Sequence, residues 1–181
     1  LVGSEMCIRD RINTLKAALV SSNISLKSCE NGIDTLWTDR PSTSKEPAWE
    51  HPLKFSGEDS KSKVNKISYK IEKMSADAAI FTLPDSICWL LNLRGADVAH
   101  TPIVHCFAIV TKKGHITVFG DKSKLGILVH NPKVTLSNWN DFEEYLTSFT
   151  GKIIIDTNSL PQAAMDFLLQ GASEVIPKDK D

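Results

Sequence analysis

Apolar positions recur along this chain with two different periods, and the alternation between them predicts the fold class. The clearest helical period covers 60–74, where Val64, Ile67, Ile71 and Met74 stand three, four and three residues apart and lysines read as a solvated face. A short apolar run at 78–83 follows as a buried strand. A helix at 85–91 comes next, with Asp85 as its N-cap behind Pro84. Pro102 opens a strand over 104–111, Lys112-Lys113-Gly114 turns the chain, and a strand at 116–119 completes a hairpin. Beyond it the pattern predicts a helix over 121–129 and a strand at 133–136. A further helix starts at Asn140 or Asp141 and carries Phe142, Tyr145, Leu146 and Phe149 on one face. A strand at 153–156, a helix at 162–169 ended by Gly171, and a strand at 174–176 finish the chain. A hairpin set among alternating helices and strands predicts an α/β fold, a mixed β-sheet flanked by helices.

The N-terminal third reads differently. Ile12, Leu15, Leu19 and Val20 give a short helical face over 12–20, Ile24 and Leu26 alternate with serines as a strand, and 31–37 forms a second short helix. Pro41, Pro47 and Pro52, with Ser, Thr and Glu between them, have the composition of an extended linker. The organisation expected is therefore a partial unit at 12–37, a linker at 38–50 and a main domain over 51–177. The first eleven residues, LVGSEMCIRDR, resemble a translated sequencing-adapter tail, so 1–11 is read as non-native and left out of fold reasoning.

Charge narrows the function classes. Lys and Arg total 21 against 22 Asp and Glu, a balance that offers no electrostatic case for nucleic acid or an anionic membrane. No apolar run approaches the ~20 residues needed to span a bilayer. Cys7, Cys29, Cys88 and Cys106 show no C-x-x-C spacing and read as reduced thiols of a cytoplasmic protein. His100 and His105, five apart across Pro102, fit neither helical nor strand spacing for paired ligands, and His51, His115 and His130 are isolated. No metal site and no cofactor is expected in this chain.

The segment DSICWLLNLRGADVAHTP, residues 85–102, concentrates the candidate chemistry. Ile87, Trp89, Leu90, Leu91 and Leu93 would anchor it, after which Arg94, Gly95, Asp97 and His100 follow within seven residues. A polar loop anchored in this way suits the presentation of charged groups to something outside its own core. An Arg94 guanidinium can grip a carboxylate in fork geometry or bond the carbonyls of a facing domain.

This segment closely resembles the WLLN-[IL]-RG-x-D motif of the Xaa-Pro aminopeptidases, the aminopeptidase P family of metallopeptidases. It is similar to the second of the two creatinase-like N-terminal domains of three-domain members. Trp37-Thr38-Asp39-Arg40-Pro41 resembles the family's W-x-x-RP linker, and 140–146 its D-F-x-x-Y-L helix. The resemblance covers roughly 30–181. It implies a creatinase/prolidase N-terminal fold, with 12–37 a remnant of the first such domain and 51–177 the second. It also implies a missing C-terminal catalytic pita-bread domain as partner, two divalent metals (manganese) held by that domain, a peptide substrate with proline second, and a homodimer when intact. This chain alone is then expected to be inactive. By the same resemblance Arg94, Asp97 and His100 line the substrate cleft or form an interdomain loop, an Arg94–Asp97 pair being one way to hold it. Asp156 and Asp166 mimic the spacing of the family's metal aspartates but lack the hairpin between them, so they are read as a strand-end and a helix-surface carboxylate. A stand-alone interaction module without peptidase activity is the alternative.

Overall fold

A computed structural model describes residues 8–27, 29, 32–42 and 44–178. Its strands are β1 (Trp49–Glu50), β2 (Ala78–Phe81), β3 (Leu93–Arg94), β4 (Phe107–Thr111), β5 (Ile116–Phe119), β6 (Val134–Ser137), β7 (Thr150–Ile155) and β8 (Ala172–Pro177). Its helices are α1 (Ile8–Leu19), α2 (Gly32–Leu36), α3 (Leu53–Ser56), α4 (Ser60–Lys73), α5 (Pro84–Leu91), α6 (Asp141–Ser148) and α7 (Gln162–Gln170). Six strands form one sheet in the order β6-β5-β4-β2-β7-β8, and β1 pairs with β3 as a separate antiparallel ribbon. The pairs β2–β4 and β4–β5 are antiparallel, whereas β2–β7, β5–β6 and β7–β8 are parallel. The expected mixed sheet is therefore present.

The sheet is covered on both faces, which is why its central strands are apolar at successive positions rather than at alternate ones. Phe107 and Ile109 of β4, Ala78 and Ile80 of β2, and Ile153 and Ile155 of β7 pack with Phe142 and Leu146 of α6 and Ala164 and Leu168 of α7. The intervening residues Ala108, Val110, Ala79 and Ile154 pack on the opposite face with Val64 and Ile71 of α4 and Ile87, Leu90 and Leu91 of α5. The α6 side is knitted by aromatic edges, with the Phe142 ring centroid 5.0 Å from Phe107 and 5.1 Å from Phe119. Among the residues whose side chains are described, these two buried clusters begin at Ala48. No helix among the described residues is long and apolar enough to cross a membrane.

The structure corrects several expected boundaries. Pro84, with no N–H and a fixed φ, occupies the first turn of α5, so Leu83 rather than Asp85 stands at the N-cap, and the Asp85 carboxylate accepts from Ser86 N at 2.8 Å. The strand expected over 104–111 begins only at Phe107, because the amides of Val104 and His105 bond Cys88 Sγ and Asp97 Oδ2 instead. The helix expected over 121–129 is a turn followed by a 3-10 segment, Gly126–His130. There the Lys124 carbonyl accepts from Ala48 N at 2.9 Å, and Leu128 N reaches back only three residues, to Leu125 O. Residues 24–27 form no strand, and the last strand runs the full length of Ala172–Pro177 because its parallel partner β7 supports it. Helix α1 begins at Ile8, inside the stretch read as a tail; the rest of that reading, residues 1–7, lies outside the described residues.

Asp77 joins three strands at one end of the sheet. Its backbone bonds Lys152 O and Lys112 N, while its carboxylate accepts from Lys152 N at 2.9 Å and from Lys112 Nζ at 2.7 Å. Gly151 beside it has φ +121°, and a Cβ there would lie 2.6 Å from Asp77 Oδ2. The Lys112 hydrogen bond, helped by the Lys152 amide, holds the Asp77 carboxyl below its ordinary 3.8. Its stabilisation is therefore complete above the unfolded-state pKa and is lost as pH falls through the lower folded value. Urea midpoints measured from about pH 6 to pH 3 should fall further for the wild type than for Asp77→Asn, the two curves converging at the acid end. Parallel curves would contradict this.

Candidate functional site

Each position of WLLNLRG has a local job, and together they aim the following loop. Leu90, Leu91 and Leu93 are buried, as are Ile87 and Cys88 before them. Asn92 stops α5 by taking the left-handed conformation (φ +51°, ψ +47°), its amide bonding Cys88 O and Trp89 O. Its side chain is committed as well: Nδ2 donates to Glu58 O at 2.9 Å, and Oδ1 accepts from Lys63 Nζ at 2.6 Å. Lys63 also donates to Trp89 O at 2.8 Å and stands 4.7 Å from the centre of the Trp89 ring. A lysine at a helix C-terminus neutralises the last carbonyls, and here it does so from inside the protein, only 2% exposed. Burial pushes its ammonium below the ordinary lysine value, with Glu58 opposing and Arg94 adding to the shift.

Beyond Asn92 the chain pairs with residues 49–51. Trp49 faces Arg94 and Glu50 faces Leu93 in the β1–β3 ribbon, and His51 N donates to Asn92 O at 2.7 Å. Gly95 lets the two arms of the loop close, since a Cβ there would lie 2.7 Å from Val104 Cβ and 2.8 Å from Ile103 O. Asp97 N then bonds Ile103 O, and Val98 bridges Thr101 around an exposed tip where His100 has φ +62°.

The three sequence candidates separate in this arrangement. Asp97 is an internal anchor: its side chain is 2% exposed, Oδ2 accepts from His105 N at 2.7 Å, and Oδ1 accepts from the Nζ of Lys124, itself 5% exposed. His105 Nδ1 lies 3.7 Å from the same carboxylate. The partner of Asp97 is thus Lys124, not Arg94. Arg94 is half-buried, with Nη1 donating to Leu93 O at 2.7 Å, and His100 is at the surface. Among the described residues no group of three His, Cys, Asp or Glu could hold a metal ion. Asp156 accepts from Asn158 N and Asp166 from Gln162 Nε2, so each closes a local bond rather than sharing a site. A small cavity of about 110 Å³ lies at the ends of the parallel strands β2 and β7, with Thr82, Asp156, Ser159 and Lys178 in its wall.

Cys88 and Cys106 are buried behind the loop, and burial pushes both thiols up, so they are protonated packing groups; Cys29 is exposed, and Cys7 lies outside the described residues. Lys63 and Lys124 are the two residues that the sequence pattern missed. Lys63 stands four residues before Ile67 and eight before Ile71, on the buried stripe of α4, and that spacing was a usable signal. Lys124 sits in a turn, where no period exists to reveal it.

Removing one partner of a buried ion pair strands the other charge, at a cost of about 3–5 kcal/mol. Lys124→Met and Asp97→Asn should each lower the urea-derived stability by an amount approaching that range. The double variant should lose clearly less than their sum, because the introduced amide oxygen can still accept from His105 N while no unpaired charge remains. Simple additivity would mean that the two side chains act independently.

The family model for the Creatinase/Prolidase N-terminal domain matches residues 39–180. A relative in Leptosphaeria maculans, named as a probable Xaa-Pro aminopeptidase P, is 32% identical over 124 residues, which cover 67% of this chain and 20% of that protein. Aminopeptidase P1 of Lotus japonicus is 37% identical over 100 residues, covering 55% of this chain and 15% of its own length. The chain therefore spans about a fifth or less of these relatives. The crystal structure of X-prolyl aminopeptidase from Caenorhabditis elegans, described as a cytosolic enzyme with a di-nuclear active site, superposes with a TM-score of 0.79 at 22% identity, covering 95% of this chain and 30% of that one. That likeness speaks to the fold, whereas the match over 39–180 decides membership: the chain belongs to the creatinase/prolidase N-terminal domain family.

Proposed function

We propose that this chain is the non-catalytic N-terminal part of an Xaa-Pro aminopeptidase, and that in the full-length protein it orients and partly covers the active site of a separate catalytic domain. The observation that carries the reading is the pairing of a match over 39–180 with relatives named Xaa-Pro aminopeptidase P that continue far beyond the matched region. The loop supports it physically. Asp97 and Lys124 fix it from behind, which leaves the exposed His100 tip and the remaining N–H groups of half-buried Arg94 able to act on something other than the domain's own core. On this reading the substrate is a peptide with proline in the second position, the setting is cytoplasmic, and the intact protein is a dimer.

The di-metal chemistry of such an enzyme does not fit the residues described here, which gather no set of ligands. The metals belong to the proposed catalytic part, and no step of hydrolysis is assigned to this chain. Its contribution is geometric: a rigid wall that narrows access to the peptide end and a guanidinium able to bond a carboxylate or a carbonyl.

The 181-residue chain should release no N-terminal residue from an Arg-Pro-Pro peptide in manganese buffer, while the full-length protein encoded by the same gene should. In that full-length protein Arg94→Ala should lower kcat/KM about tenfold or more, by loss of a charge-assisted contact, to the peptide or to the facing part of the polypeptide, worth about 1.5–3 kcal/mol. Turnover by the short chain above a blank would defeat the proposal. A reading frame that stops after Asp181 would favour the stand-alone interaction module.

A further inference from the structure

Most of the WLLNLRG segment is consumed by the domain's own packing, but two large indoles at and beside it are not. Trp89 is 51% exposed at the end of α5, and Trp49, opposite Arg94 in the ribbon, is 46% exposed. Directly opposed residues of an antiparallel pair leave from the same face, and their neighbours in sequence leave from the other. Leu93 is buried in the core, so Trp49 and Arg94 are carried on the face turned away from it. The turn that follows β1 carries another exposed ring: the His51 ring stacks on Phe55 at 6.0 Å, and Phe55 is 68% exposed.

None of these groups is on a slack segment. Trp89 is held by Lys63, which bonds its carbonyl and lies against its ring, and Lys63 is locked to Asn92 in turn. The ribbon is clamped at Ala48 N to Lys124 O and at His51 N to Asn92 O. Large aromatic side chains and a guanidinium carried on a fixed backbone form the kind of surface that dominates protein interfaces, because less freedom is left to lose on binding. Both hydrophobic clusters of the domain are already closed on their own sheet and helices, so this surface is not an unfinished part of the core.

We infer that the Trp49–Arg94–Trp89 surface, extended by Phe55, is the seat on which the rest of the full-length polypeptide docks. The inference rests on the proposed function, and it names the contact through which this domain would be held over the active site. The occupant follows from length: the family is an N-terminal domain, and the matched region is 20% of one relative and 15% of another, so most of the protein lies beyond it. The docking partner should present an apolar surface to the two indoles and a carboxylate or carbonyl to Arg94.

Hydroxyl-radical footprinting of the wild-type full-length protein and of the 181-residue chain tests this without depending on a variant that folds. Oxidation of Trp49, Trp89 and Phe55 should fall about fivefold or more in the full-length protein, with exposed Tyr69 as the unchanged reference. Equal oxidation in both proteins overturns the inference. Protection already present in the short chain, together with a dimer mass by light scattering, overturns it in favour of a second copy as occupant. Peptide cleavage by the same full-length sample is scored separately. A cleaving enzyme with unprotected tryptophans refutes the docking surface alone, and a folded full-length protein that fails to cleave refutes the functional reading. In full-length Trp49→Ala/Trp89→Ala, loss of docking should appear as newly oxidised Phe55 with the Tyr69 signal unchanged; Phe55 that stays protected contradicts the inference.

Discussion

The ion pair between Asp97 and Lys124 fixes the loop that most distinguishes this domain from a generic α/β layer. Both side chains are almost wholly buried, so the pair gains little over apolar packing of the same volume; its effect is on where chain segments go. Asp97 takes His105 N with its second oxygen, setting the return arm of the loop, and the backbone carbonyl of Lys124 holds Ala48 N, setting the linker. Three stretches far apart in sequence are thereby brought together behind one exposed loop. A buried charge tolerates little displacement of its partner, which makes the arrangement stiff.

A second buried lysine plays a complementary part. Lys63 reaches across from α4 to seal the end of α5, and it meets only neutral acceptors, Asn92 Oδ1 and Trp89 O. Its charge is offset by the helix end, the indole face and the more distant Glu58, and burial accordingly draws its pKa down. With Lys63 below and Lys124 behind, the segment from Trp89 to His105 has fixed supports at both ends. The sheet supplies the platform and these two lysines supply the aim.

The proposed role follows from that division of labour. The fold by itself does not specify a chemistry, since domains of one architecture serve different ends through the groups grafted onto them. What this domain offers is a rigid, partly aromatic edge with a guanidinium on it, displayed on the side opposite Leu93. On the proposed reading, such an edge would hold and shape a cleft whose reactive groups lie elsewhere in the polypeptide.

The sequence by itself determined the alternation of helices and strands, the hairpin at Gly114, the amphipathic face of α4 and, through WLLNLRG, the family. These depend on local periods and on short-range backbone preferences that a linear pattern records. It also placed the turn from α5 into a polar loop, because Asn92 and Gly95 are local conformational requirements. Only the tertiary structure decided that Asp97 faces Lys124 rather than Arg94, that Lys63 is interior rather than part of a solvated face, and that Trp49 in the linker belongs beside Arg94. It also decided that 104–106 and 121–125 give up regular structure so that their amides and carbonyls can serve other segments. The three pairings join residues 26 or more apart in sequence. No period along the chain encodes which long-range partner a buried charge or a diverted amide will find, because that choice is made by the packing that brings the segments together.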